Sequence, residues 1–173
     1  DLPEQSSANL GITVLSGNAG FQQLDKKKTS SWGISYSYTD LSLAFAIIKQ
    51  KQDFSKVPVY HNLDANFRIK TSKTGMLKYY GYFSSNRLAF TNRSIDTLGY
   101  LDKFAISNKN HYHNLSWREN LPGRWKISLG TSYTNNHDEI SSSLQDNSKT
   151  DVQLTGLEFK NFVLDNSGNH FNA

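Results

Sequence analysis

Two histidines one residue apart, His111 and His113 flanking Tyr112, are the best metal-ligating candidates in the sequence. On an extended strand, residues i and i+2 share a face, so both imidazoles could reach one ion. No third ligand stands at a matching spacing, and Leu115 and Trp117 share the same parity. The pair is therefore a weak candidate, and no metal is expected. Asp138-Glu139 is an acidic pair in a polar stretch. General acid–base chemistry needs a carboxylate in a pocket that shifts its pKa, whereas neighbouring carboxylates in a polar run are usually solvated. Asp64, Asn66, Arg68 and Lys70 recur at every second position, which places four polar groups on one face. They could line a solute path, or they could be wall residues paired with their neighbours. Lys26-Lys27-Lys28 could meet anionic headgroups, but in a short turn it reads first as solvated lysine.

The sequence contains no HExxH, no Walker loop, no GxSxG and no dinucleotide fingerprint, so neither an enzyme nor a cofactor is expected. Cysteine is absent, which excludes thiol nucleophiles, disulfide scaffolds and cysteine zinc sites. The net charge is +4 with scattered Lys and Arg, so a nucleic-acid partner is not expected. Aromatic residues make up 13% of the chain, too many for a disordered segment. No run approaches the ~18 apolar residues of a transmembrane helix. The opening Asp1-Leu2-Pro3-Glu4 has no leader character, which reads as a mature chain or a fragment.

The elements that must position these residues show a period of two. In Trp32-Gly33-Ile34-Ser35-Tyr36-Ser37-Tyr38 the even positions are large and apolar or aromatic. In Leu63 to Lys70 the odd positions are apolar, and Trp125 to Tyr133 alternates in the same way. These are half-buried strands. The pattern predicts strands near 9–24, 31–43, 60–71, 76–91, 109–119, 125–134 and 152–164, with an eighth starting at Asn169. The parity changes at Thr39-Asp40, as a bulge or a strand end, and again near Gly156-Leu157. Short turns at 25–30, 72–75, 120–123 and 165–168 alternate with long polar loops expected at 44–59, 92–108 and 135–151.

Two solvents explain such strands: a protein core in a soluble sandwich, or lipid outside a membrane barrel with a wet lumen. The barrel is favoured by the alternation of short turns with long loops, by the polar set Asp64, Asn66, Arg68 and Lys70, and by rings near strand ends at Trp32, Trp117, Trp125 and Tyr133. On that reading Trp32, Ile34, Tyr36, Ile127 and Leu129 face lipid, and Asp64, Asn66, Arg68 and Lys70 face the lumen.

The run from Asn62 through Lys70-Thr71-Ser72-Lys73-Thr74-Gly75-Met76-Leu77-Lys78-Tyr79-Tyr80-Gly81-Tyr82 to Phe83 resembles a barrel hairpin of TonB-dependent outer-membrane receptors. The order around it is similar as well, from Leu2-Pro3-Glu4 and the lysine turn to Leu115-Ser116-Trp117, Trp125-Lys126-Ile127 and Tyr133-Thr134-Asn135-Asn136. The resemblance spans roughly 1–164 and is most specific from Lys70 to Tyr82. It implies energised uptake of a scarce solute (an iron chelate, a vitamin or a glycan) across the outer membrane of a Gram-negative bacterium. The implied partners are outer-membrane lipid, the solute, and a TonB-type energy-coupling protein reached through regions other than these. Such receptors resemble one another in a plug domain, a coupling box and a barrel of about 22 strands. No plug-like segment or coupling box is visible here. The expected architecture for 1–173 is therefore all-β: an antiparallel transmembrane barrel wall of about seven to eight strands of a larger barrel. The rival readings are a complete small eight-stranded outer-membrane barrel with a structural or adhesive role, and a soluble β-sandwich binding module.

Overall fold

The computed structural model describes residues 1–50, 53–93, 101–142 and 149–165. Eight strands form one antiparallel sheet in chain order. They are β1 (Ser7–Ile12), β2 (Ser16–Leu24), β3 (Ser30–Asp40), β4 (Asp53–Lys70), β5 (Met76–Arg93), β6 (Leu101–Asn120), β7 (Lys126–Ser142) and β8 (Lys149–Asp165). A single helical turn and a half, α1 (Ser42–Ile47), lies between β3 and β4. β1 and β8 are the two edges, and the sheet is not closed into a barrel.

The sheet is one layer. A domain normally buries its apolar surface between two layers. Here, among the described residues, the buried apolar side chains are Leu24, Ala89 and Pro58. The accessible surface is 12733 Å², against about 8,600 Å² expected for a compact monomer of this mass.

Several expected boundaries move. The stretch 9–24 is a hairpin rather than one strand. Thr13 N donates to Ser16 O at 2.7 Å, and Thr13 Oγ1 accepts from Ser16 N at 3.0 Å. The weak alternation at Gly17 to Gly20 is therefore the start of a second strand, β2. The eighth strand expected from Asn169 lies outside the described residues. The change of parity at Thr39-Asp40 is a strand end: Asp40 Oδ1 accepts from Ser42 N at 2.8 Å and Asp40 Oδ2 from Tyr38 Oη at 3.1 Å. The Ser42 contacts, then Tyr38, hold the Asp40 carboxyl below its ordinary range. The loops expected at 44–59, 92–108 and 135–151 are much shorter, because 53–59, 101–108, 135–142 and 149–151 are strand. β4 to β8 consequently run for 17 to 20 residues each. β4 is irregular between Phe54 and Val59, where the register shifts and Pro58 has no N–H to give to the ladder, and the β7–β8 ladder shifts between Ser128 and Gly130.

The short-turn end is locked by side chains. Glu119, 9% exposed, accepts from Thr71 Oγ1 at 2.7 Å and from Ser72 Oγ. Ser72 Oγ in turn accepts from Thr74 N at 3.0 Å and Gly75 N at 2.9 Å, and Trp117 Nε1 donates to Thr71 Oγ1 at 3.2 Å. A Cβ on Gly75 would overlap Glu119 Oε2 and Thr71 Oγ1, so this position needs glycine for close approach. The Ser72 hydroxyl, then that of Thr71, stabilises the carboxylate and lowers the Glu119 pKa.

Candidate functional site

Register sorts the side chains onto two faces, because directly paired residues point the same way. One face contains Trp32 and the other Asp64.

In the half of the ladder nearest the short turns, the Trp32 face is apolar. Trp32 pairs with Phe67, Phe67 with Tyr79, and Tyr79 with Leu115. Beside that row lie Ile69, Leu77, Trp117 and Leu129, and then Tyr36, Leu63 and Phe83. All five residues expected to face lipid share this face: Trp32, Ile34 and Tyr36 on β3, Ile127 and Leu129 on β7. Trp32, Ile34, Tyr36, Phe67, Leu115 and Leu129 are exposed, with no protein layer over them.

His111 and His113 lie on this face, at register with Phe83 and Gly81. His113 Nδ1 is 2.8 Å from Tyr79 Oη, and its ring stacks between Tyr79 and Tyr133 with both centroids at 6.1 Å. The His111 ring lies 4.7 Å from Phe83. The two imidazoles are thus packed among rings, and no group of three His, Cys, Asp or Glu that could hold a metal occurs among the described residues.

The Asp64 face is polar in the same half. Asp64, Asn66, Arg68 and Lys70 lie along β4 opposite Tyr82, Tyr80, Lys78 and Met76 of β5. Asp64 accepts from Tyr80 Oη and from Ser35 Oγ, the latter at 3.4 Å. Tyr82 Oη donates to Asn62 Oδ1 at 2.9 Å, and Asn62 Nδ2 donates to Ser37 Oγ at 3.3 Å. Asn66 lies over Gly33, where a Cβ would come 2.9 Å from its Nδ2. Nearer the turns the face becomes basic, with Arg68 directly opposite Lys78. Arg68 Nη1 donates to Asp1 O at 3.3 Å, so the segment before β1 lies across this face. The sequence groups the four β4 residues but does not pair them with Tyr80, Tyr82, Asn62 and Ser35, because cross-strand register cannot be read from one strand's alternation. The aromatics on both faces of 76–91 were the available signal.

Farther along the same strands the two faces exchange polarity. Beyond the row Tyr38, His61, Ser85, Lys109 and His137, the Trp32 face carries Arg87, Ser107 and Glu139. The Asp64 face there carries Leu88, Ile106 and Ile140 in register, and Phe90 opposite Phe104. Phe45 of α1 meets Phe54 at 4.8 Å between centroids, Phe54 meets Phe90 at 5.8 Å and Phe90 meets Phe104 at 5.2 Å. The change of parity near Gly156 belongs to the same exchange. Val152 and Leu154 pair with Asp138 and Asn136, while Leu157 and Phe159 pair with Tyr133 and Thr131, with no register shift between them.

At the crossover both faces are polar for several residues, and amide side chains continue the ladder. Asn86 Nδ2 donates to Asn108 Oδ1 at 3.5 Å, Asn108 Nδ2 to Asn136 Oδ1 at 2.9 Å and also to Asp138, and Asn136 Nδ2 to Asp138 Oδ2 at 2.9 Å.

Comparison with known proteins gives no matching family model, curated protein or solved structure.

Proposed function

We propose that this sheet is a stretch of the wall of an outer-membrane β-barrel of the TonB-dependent receptor kind, a transport protein rather than an enzyme. The observation that carries the membrane part is the exchange of polarity along one continuous ladder. A soluble sandwich keeps one apolar face along its whole length, since its core lies on one side. A barrel wall that leaves the bilayer does not. Within the membrane its outer face meets lipid and its inner face meets a wet lumen; above the membrane the outer face meets water.

Four apolar positions on β5, Leu77, Tyr79, Gly81 and Phe83, match the lower band, and their seven-residue span of roughly 23 Å approaches the ~25 Å outward apolar band of such barrels. Trp32 and Trp117 occupy its turn-side border, as an interfacial girdle requires. On this reading the short turns face the periplasm, and β4 to β8 rise beyond the outer leaflet. The Asp64 face, with its tyrosine, amide and hydroxyl groups, lines the lumen.

The receptor assignment rests on the resemblance of the Lys70 to Tyr82 hairpin and its surroundings. It makes the cargo a scarce solute (iron chelate, vitamin or glycan) and leaves energy coupling to a TonB-type partner acting on other regions of such receptors. A complete barrel of these eight strands fits less well, because β1, with 6 residues, is too short to close against β8, with 17.

Spin labels at Leu115, Ser116 and Ser107 of the membrane-inserted protein test the reading. The Leu115 label should be accessible to oxygen and shielded from a water-soluble nickel chelate, and the other two should show the reverse. Chelate access at Leu115 equal to that at Ser107 would remove the membrane reading.

A further inference from the structure

The row where polarity changes holds a set of side chains on the Trp32 face that the lipid-facing reading does not use. Ser85 lies at its centre. Directly opposite Ser85 stand His61 on β4 and Lys109 on β6. Arg87 follows two residues on along β5, and His111 lies diagonally across on β6. Cross-strand neighbours have Cβ atoms about 5 Å apart and diagonal neighbours about 7–8 Å, so a short serine is ringed by two permanent cations and two imidazoles. Arg87 and Lys109 are exposed, and Ser85 is half-buried. His61 is braced from below by Tyr36, whose Oη is 2.7 Å from His61 Nδ1, and by the Tyr38 ring at 5.0 Å.

The residues completing the ring are Phe83, Leu63, Val59 and Ser107, none of them acidic. The nearest carboxylates on this face, Asp40 and Glu139, lie outside it, opposite Val59 and Ser107. Asp40 is turned to Ser42 and Tyr38. At the opposite border of the apolar band the charged group on this face, among the described strand residues, is Glu119. Cations on the lipid side therefore gather at one border of the band.

We infer that the ring of His61, Arg87, Lys109 and His111 around Ser85 binds the phosphate of an anionic lipid headgroup at the outer border of the membrane. The long stems of Arg87 and Lys109 can lie over the apolar band while their heads reach the headgroup layer. Arg supplies a planar fork suited to phosphate, Lys a point charge, and Ser85 a hydroxyl donor at the centre. An acyl chain below the phosphate would lie against Phe83 and Leu63, which distinguishes a lipid from free phosphate. The inference rests on the membrane reading, which the spin-label experiment tests separately at Leu115, away from this ring.

The test uses the protein in nanodiscs of phosphatidylcholine containing a minor share of phosphatidic acid, extracted into mild detergent, with retained lipid measured by mass spectrometry. The protein should retain phosphatidic acid in excess of its share. In Arg87→Gln/Lys109→Gln that excess should fall about tenfold or more, since each cation near an anionic surface is worth about a factor of five. Ser85→Asp, which places a carboxylate at the centre of the ring, should abolish the excess while leaving the variant as protease-resistant as the parent. Competition by inorganic phosphate at the same molar level would show a free-phosphate site and overturn the lipid assignment. No enrichment in the parent protein, or enrichment unchanged in both folded variants, would overturn the site itself.

Discussion

The two halves of the ladder share backbone and register but use opposite chemistry. Below the Ser85 row, Leu115 and Phe67 lie exposed on the Trp32 face, while Asp64, Tyr80, Asn62 and Ser35 hydrogen-bond across the other face. Above it, Arg87, Ser107 and Glu139 take the positions on the Trp32 face, and Phe54, Phe90 and Phe104 pack on the other side. Backbone pairing is indifferent to this change, since every ladder bond is made whichever side is apolar. What differs is the polarity of the side chains that each face carries.

The sharpest way to break the comparison is to place one charge in each half. Leu115→Arg should destabilise the inserted protein by about 2–4 kcal/mol, the cost of a cation on the lipid face near the midplane. Ser107→Arg, on the same face and the same strand but above the crossover, should cost about 0–1 kcal/mol. Urea titration of both variants in the folded, membrane-derived protein measures the difference. Equal penalties would mean that one solvent covers the whole face.

The converse probe acts on the other face. Phe90 lies between Phe54 and Phe104 and is half-buried. Phe90→Ala should cost about 2 kcal/mol, the lower part of the range for an aromatic side chain leaving a packed cluster. Ser84→Ala, on the same strand and face but below the crossover, should lie within about 0.5 kcal/mol of the parent. If Phe90→Ala is as mild as Ser84→Ala, the phenylalanines do not form a cohesive cluster.

The lower half is legible in the sequence, and of the upper half mainly β5 is, expected over 76–91 and observed over Met76–Arg93. Trp32 to Tyr38 and Leu63 to Lys70 alternate cleanly because each face keeps one polarity throughout. Ser84-Ser85-Asn86-Arg87, Ser107 to Asn110 and Thr134 to Glu139 are polar on both faces, because there the faces exchange polarity. In β6 and β7 such runs read as loops, so those strands are expected too short, whereas the strand expected at 76–91 already carries β5 through Ser84 to Arg87. Alternation with opposite phase resumes in Leu88-Ala89-Phe90, inside the strand expected at 76–91, and in Phe104-Ala105-Ile106, the overlooked sign that β6 begins earlier than expected. The β4 set Asp64, Asn66, Arg68 and Lys70 was found from parity alone. Its partners Tyr80, Tyr82 and Asn62 required the register, which turn closure and long-range pairing set together. The short β1–β2 hairpin was hidden by Gly17 and Gly20, whose missing side chains erase the period.

The amides at the crossover offer a smaller test. Asn108 donates to both Asn136 and Asp138 and accepts from Asn86. Asn108→Ala should cost about 1 kcal/mol for the lost hydrogen bonds. Asn108→Asp should cost more, since it faces Asp138 with a like charge and removes the donor. Protease nicking after brief exposure would locate the weakening at the crossover. Nicking confined to the short turns would show that the amides do not hold the two halves together.

The smallest effect is expected at the turn end, where Glu119 ties β6 to the turn between β4 and β5. Hydroxyl donors from Ser72 and Thr71 stabilise its ionised form, so its folded pKa lies below the ordinary value. A depressed carboxyl pKa adds stability that is complete above the unfolded value near 4.5 and declines as the pH falls through the lower folded value. Glu119→Gln keeps the shape and removes the titration. The parent should therefore exceed the variant in stability at neutral pH, and the gap should narrow on acidification to about pH 3. Gly75→Ala gives an independent check, because the added methyl must displace Glu119 from the turn. That variant should lose the same pH-dependent increment while retaining the carboxylate. A gap between parent and Glu119→Gln that stays constant over this range, or a Gly75→Ala variant with the parent's full pH dependence, would mean that the carboxylate does not bind the turn hydroxyls in the folded protein.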